Sequence, residues 1–265
     1  MTSPSSPLQP PASGVVVLTS GGPHSWIMID TLKKRFGDVA VILEEGEPQS
    51  ALRARRRKLL GLPTVVSMLA AKVPIRLTRF GTEGRVRELI ETYDLKPDMP
   101  DDLGAVHVPS VNSEAIRKAL RELQPKVVFV VSTRMLGKKT LAALQGVPVI
   151  NYHSGVTPAY RGMYGGYFAL ANGEPEHFGG TVHLVDAGVD TGGILYQSRC
   201  EPTKRDNFHT YLFVLAAGSR DIVVKAVEDA LEGRLKPYQR DLPSRQYYFP
   251  TFFSYIWTGL TRGVW

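Results

Sequence analysis

A chain of 265 residues and 29.2 kDa, 43% hydrophobic and 22% charged, can bury one large core or two small ones, which excludes wholesale disorder. A single cysteine, Cys200, excludes an intrachain disulfide and a multi-cysteine zinc site and favours a reducing compartment. With 32 Lys and Arg against 25 Asp and Glu the net charge is +7, which favours anionic partners.

Residues 1–13 are rich in Ser and Pro, offer almost nothing apolar to bury, and are expected to form a disordered tail. The chain opens without a basic stretch and apolar core of the signal-peptide kind. No apolar run reaches the ~18 residues of a membrane span, so a cytoplasmic protein is expected. From Gly14 onward, Val-rich runs at Val15 to Thr19, Val39 to Leu43, Ala105 to Pro109, Lys126 to Val131 and Val147 to Asn151 predict strands buried on both faces. Helical patterns lie between them, for example Val86, Leu89, Ile90 and Tyr93, and Ile116, Leu120 and Leu123 behind the capping pair Asn112-Ser113. Strand alternating with helix predicts an α/β fold with a doubly wound parallel sheet.

Residues 44–80 break this rhythm with a basic block, Arg53, Arg55, Arg56, Arg57 and Lys58, followed by a Gly61-Leu62-Pro63 break. A helical insertion is expected there, and a solvated basic face is favoured over a phosphate or nucleic-acid patch. Two further strands, Gly180 to Asp186 and Gly193 to Ser198, flank a glycine-rich turn. A last helix carries Val223, Ala226, Val227, Ala230 and Leu231 and stops at Gly233. The extension 234–265 is strongly aromatic, and packing on its own core or a homodimer interface is favoured over interfacial membrane contact.

Polar groups at the carboxyl end of a parallel strand mark the sites of open α/β sheets, and Val147 to Asn151 leads into Asn151-Tyr152-His153. A second polar cluster runs from Asp186 to Gly193. An Asn, a His and an Asp on two loops combine an amide donor, a proton shuttle and an orienting carboxylate, the elements of acyl transfer. Taken singly, each residue has an ordinary explanation in a turn or a satisfied core. His183 is expected to be packed on its strand, His107 lies within a strand, and His177 and His209 read as surface or cap residues. No His or Cys spacing suits a metal. The Ser20 to Ser25 loop leads into a helix whose free N–H groups attract anions, although an unliganded turn has the same sequence.

Together, Asn151-x-His153, Thr157-Pro158, Arg161-Gly162, Gly180-Thr181-Val182-His183 and Val189-Asp190-Thr191-Gly192-Gly193-Ile194-Leu195 resemble the folate-dependent formyltransferase family. That family includes glycinamide ribonucleotide formyltransferase, methionyl-tRNA formyltransferase, sugar N-formyltransferases and formyltetrahydrofolate deformylase. The resemblance extends from Val15 to about Gly233. It implies a Rossmann-like, mostly parallel sheet in a catalytic domain 14–233, with the insertion at about 44–80 and the C-terminal extension added. It further implies 10-formyltetrahydrofolate as donor and Asn151, His153 and Asp190 as catalytic residues. Ser132 to Leu136 is similar to the family's pterin loop, so Arg134, Met135 and Leu136, with Ala187, Gly188 and Val189, are expected to hold the folate. Ser20, Gly21, Gly22, His24 and Ser25 are expected to bind the acceptor, because a similar loop holds the substrate phosphate in glycinamide ribonucleotide formyltransferase. One departure stands out: many members have His-Pro-Ser where this chain has His153-Ser154-Gly155.

The function these residues imply is formyl transfer to a primary amine on a small phosphate-bearing acceptor, such as a nucleotide-linked amino sugar. The tRNA enzyme is a poorer match, because the chain ends about where the core ends, so nucleic acid is not an expected partner. The insertion is foreign to the compact purine-pathway enzyme. The alternatives are hydrolysis of formyltetrahydrofolate at the same residues, and a non-catalytic nucleotide- or nucleic-acid-binding protein using Arg53 to Lys58.

Overall fold

The Val-rich runs become the strands of one seven-stranded sheet in a computed structural model that describes residues 8–265. They are β1 (Val15–Thr19), β2 (Ala40–Glu44), β3 (Val106–Val108), β4 (Val127–Val131) and β5 (Val149–His153). After a short β6 (Arg161–Gly162), β7 (Thr181–Leu184) and β8 (Ile194–Gln197) complete the sheet, and β9 (Gln246–Tyr247) pairs with β6 apart from it. The strand order is β3-β2-β1-β4-β5-β7-β8. β1 to β5 run parallel, β7 lies antiparallel to β5 and β8 antiparallel to β7. The sheet is thus mostly parallel, and its order reverses between β1 and β4, where open α/β sheets place ligands.

Helices cover both faces: α1 (Pro23–Phe36), α2 (Gln49–Leu60), α3 (Leu62–Leu77), α4 (Glu83–Tyr93), α5 (Glu114–Leu123), α6 (Lys138–Ala143), α7 (Gly165–Ala171), α8 (Tyr211–Leu231) and α9 (Phe252–Arg262). Alternation along the strands explains the continuous apolar runs. Val15, Val17, Val127 and Phe129 pack toward α1 and α8, whereas Val16, Leu18, Val128 and Val130 pack toward Ile116 and Leu120 of α5. Each of these side chains leaves water completely or nearly so, and a Phe129-sized one contributes about 2–3 kcal/mol on burial. α5 starts where Ser113 accepts from the Ile116 N–H at 3.4 Å.

Two expectations change in detail. Of the tail, residues 1–7 lie outside the described residues, but Leu8 and Ala12 bond through their N–H groups to Glu122 and Asp38, and Leu8 packs on the core. β5 continues past Asn151 to His153 because β7 pairs along it as far as Thr181. Residues 44–80 hold α2 and α3, and α3 packs against α9 in the aromatic extension.

Candidate active site

A cavity of about 540 Å³ opens at the carboxyl ends of β1, β4 and β5, within the size range of small-molecule sites. Of the candidate catalytic residues, Asn151 and Asp190 line it, and His183 stands beside them. Antiparallel pairing sets Asn151 directly opposite His183. His183 Nε2 lies 3.0 Å from the Asn151 amide nitrogen, and His183 Nδ1 lies 2.7 Å from the Leu184 carbonyl oxygen.

Asp190 joins this pair from the next loop. Its backbone is left-handed, with φ 50°, a conformation Asp tolerates better than most residues. One carboxylate oxygen lies 3.4 Å from His183 Nε2 and 3.5 Å from the Asn151 amide nitrogen. The other accepts the Gly162 N–H at 2.8 Å and lies 3.6 Å from His153 Nδ1. Burial pushes the Asp190 carboxyl up, but His153, His183 and the Gly162 N–H outweigh it and hold the group well below the usual carboxylate range. Asp190 is therefore a fixed negative charge between two imidazoles.

His153 is buried and does not itself line the cavity. Its Nε2–H donates to the Tyr160 carbonyl at 2.6 Å, which leaves Nδ1 toward Asp190. Gly155 permits this packing: a Cβ there would meet the Tyr160 carbonyl oxygen at 2.6 Å, His153 Nε2 at 2.7 Å and Gly165 Cα at 2.9 Å. The glycine at 155, where many members have serine, thus has a steric basis.

Arg134, Met135, Leu136, Gly188 and Val189 line the cavity, and Ala187 does not. Much of their polar backbone is already engaged. The Arg134 N–H donates to Glu44 at 2.6 Å, the Asn112 amide donates to the Met135 carbonyl at 2.9 Å, and Arg161 donates to the Val189 carbonyl at 2.8 Å. Arg134 also turns its guanidinium onto Glu44 at 3.1 Å and onto the Glu45 and Pro109 carbonyls. Glu44, buried and accepting the Val111 N–H at 3.0 Å as well, organises this side of the cavity.

From the Ser20 to Ser25 loop, only Ser20 reaches the main cavity. Ser25 is fully buried and bonds the Gly21 carbonyl. Gly22, at φ 103°, would bring a Cβ into ordinary contact with the His24 ring at 3.9 Å, yet cannot carry a side chain without backbone strain. His24 faces a second cavity of about 340 Å³ with Pro23, Tyr164 and Phe249. Its Nε2 bonds the Ser132 hydroxyl, and its Nδ1 is enclosed without a partner. Burial pushes its pKa down to about 4, against about 6.5 for a free imidazole. Between those pH values the unfolded chain binds a proton that the folded chain refuses, so stability should rise from pH 4 to 6.5. Urea unfolding across that window checks this, and His24→Gln should flatten the slope; an unchanged slope sinks it.

Sequence reasoning missed two features. His183 was read as packed, and it is, but its pairing opposite Asn151 also brings it to the cavity wall. The basic block is largely solvated, with Arg53, Arg55, Arg57 and Lys58 exposed, but Arg55 and Arg56 also reach the cavity wall. Arg55 is paired with Glu47 at 2.9 Å, whereas Arg56 rests on the Met163 sulfur at 3.2 Å. No cluster of metal-ligating side chains occurs among the described residues.

Comparison with known proteins places this geometry. Methionyl-tRNA formyltransferase of Kosmotoga olearia is 30% identical over 159 residues, 60% of this chain and 51% of that one. The chain spans about half the length of the curated relatives it matches. Among solved structures, glycinamide ribonucleotide transformylase 1 from Symbiobacterium toebii has a TM-score of 0.54 at 21% identity, covering 88% of this chain and 91% of that one. The N-formyltransferase from Helicobacter canadensis, in complex with folinic acid and dTDP-3-aminofucose, has a TM-score of 0.54 at 14% identity and covers 88% and 70%. These likenesses show the fold. The model of the formyl transferase family matches residues 14–227, which takes in every strand of the sheet together with Asn151, His153, His183 and Asp190, and the chain belongs to that family.

Proposed function

We propose that this protein transfers a formyl group from 10-formyltetrahydrofolate to a primary amine on a small, phosphate-bearing acceptor such as a nucleotide-linked amino sugar. The observation that carries the reading is the Asn151, His183 and Asp190 cluster, spaced at 3.0 to 3.5 Å on the wall of a small-molecule cavity.

The cavity suits a reduced folate, because Val130, Met135, Leu136 and Val189 give a flat ring an apolar surface beside polar backbone. When bound, that molecule supplies the formyl group on a nitrogen leaving group. The rest is work for the chain. Asn151 can donate a hydrogen bond to an oxygen that gains negative charge, and such a fixed donor is worth roughly a hundredfold or more in rate. Asp190, ionised and at the wall, can receive the amine proton directly or through water. His153, held by Tyr160, and His183, held by Leu184, orient that carboxylate from two sides. For the acceptor, Ser20 and the cations Arg55 and Arg56 stand at the wall, where a phosphate would meet opposite charge. The neighbour crystallised with dTDP-3-aminofucose agrees with an acceptor of this class.

The test is incubation with 10-formyltetrahydrofolate and a panel of amines, followed by mass spectrometry of the products. Formylated nucleotide-linked amino sugar is expected. A second acceptor has support from the methionyl-tRNA formyltransferases at about 30% identity: formylation of methionyl-tRNA alone would overturn the sugar assignment. Formate released equally with and without any amine would mean a hydrolase, and no turnover of the folate would leave the non-catalytic reading.

A further inference from the structure

The net positive charge and the exposed apolar surface of this chain meet in one place, the α2, α3 and α9 face. Residues 49–82 contain eight Lys or Arg and no Asp or Glu. On α3 and the turn after it, Leu62, Val66, Leu69, Val73, Leu77 and Phe80 recur at spacings of three and four, and each is exposed. Phe80 is 80% exposed. The opposite side of the helix buries Val65, Met68, Ala71 and Ile75. The helix is therefore apolar on both its inner and its outer face, which a solvated surface helix is not.

α9 repeats the arrangement beside it. Tyr255, Thr258 and Gly259 face the interior, and Tyr255 is within hydrogen-bonding distance of Thr78 at the end of α3. The outward stripe is Phe253, Trp257 and Leu260, exposed by 78%, 70% and 73%. The aromatic extension thus packs on the core with one side only, and nothing among the described residues covers the other. From Gln246 to Trp265 there is again no acidic residue. Lys72, Arg76 and Arg79 flank the α3 stripe, and the run from Arg53 to Lys58 lies on the helix packed against it.

We propose that this face docks on the surface of an anionic lipid bilayer, with the two apolar stripes entering the headgroup boundary and the basic residues meeting the lipid charges. Charge decides between occupants. A second copy of the same face would set cations against cations with no acid to pair them. A nucleic acid would satisfy the charge but leave the apolar stripes in water. An anionic bilayer satisfies both. α2 also contributes Arg55 and Arg56 to the wall of the main cavity, so the docked module and the cavity share a helix.

The full chain is tested by flotation with vesicles of phosphatidylcholine alone and of phosphatidylcholine mixed equally with phosphatidylglycerol. Binding to the mixed vesicles only is expected, together with quenching of Trp257 fluorescence by brominated acyl chains. The double variants Phe80→Asp with Trp257→Asp, and Lys72→Glu with Arg76→Glu, should each lower the partition coefficient by about tenfold or more. All four positions are exposed, and circular dichroism melting verifies the fold. No flotation of the folded parent with mixed vesicles overturns the proposal. So does binding that the apolar variant leaves intact, as an RNA site would. A dimer in sedimentation equilibrium that Trp257→Asp dissociates would assign the face to a second copy instead.

Discussion

Asp190→Asn is expected to lower the turnover of formyl transfer by about a hundredfold or more while leaving the fold intact. Asn keeps the shape, tolerates the left-handed backbone at φ 50°, and still offers an oxygen to the Gly162 N–H. What it removes is the negative charge between His153 and His183, and with it the group proposed to receive the amine proton. Because the folded carboxyl is held below its ordinary value, Asp190 contributes stability that is fully present above about pH 4 and is lost as pH falls through the lower, folded value. An acid limb of activity above pH 4 therefore belongs to other groups, and the Asn variant should lack that contribution near neutrality and converge on the parent's stability in acid. Steady-state kinetics of the purified, folded variant decide the matter. Near-normal turnover would remove Asp190 from the chemistry.

The largest effect on stability is expected at Glu44. Glu44→Ala should cost about 3–5 kcal/mol, the scale for breaking a buried ion pair from one side, because Arg134 and the Arg134 and Val111 N–H groups lose their acceptor together. Glu44→Gln should cost less, since its amide oxygen can still accept. Both should weaken binding of a reduced-folate analogue more than they alter the far side of the cavity, because Arg134 begins the run that ends in Met135 and Leu136 on its wall. Denaturant unfolding and ligand titration measure the two effects. An Ala variant as stable as the parent would show that the carboxylate is not organising the loop.

The parallel strands were legible because burial on both faces leaves a short unbroken run, as in Val127 to Val131, whose length and Val content favour a strand over a buried helix. Asn151 and Asp190 were legible as an ordered pattern, and the structure brings them to one wall. The place of His183 was hidden. Sequence marks a strand at Thr181 to Leu184, but only the antiparallel pairing with β5 sets that histidine opposite Asn151, and pairing between distant strands leaves no local trace. Glu44 was hidden for a similar reason. A carboxylate at a strand end reads as a solvated terminus until Arg134, which is 90 residues away, closes over it. Arg55 and Arg56 were submerged in a run of like residues whose ordinary fate is solvent.

The tight packing at Gly155 carries a consequence for how such sites diverge. Two backbone atoms and one imidazole nitrogen occupy the volume that any side chain at 155 would need. The tripeptide His153-Ser154-Gly155 and the segment that carries Tyr160 and Gly165 therefore form a matched set. A lineage moving between this tripeptide and His-Pro-Ser cannot make the exchange at position 155 first, since that intermediate would displace the carbonyl that holds His153. The neighbouring segment has to shift before the serine can arrive. In this chain a serine at 155 is therefore accommodated only if the Tyr160 carbonyl, the His153 ring or Gly165 moves with it.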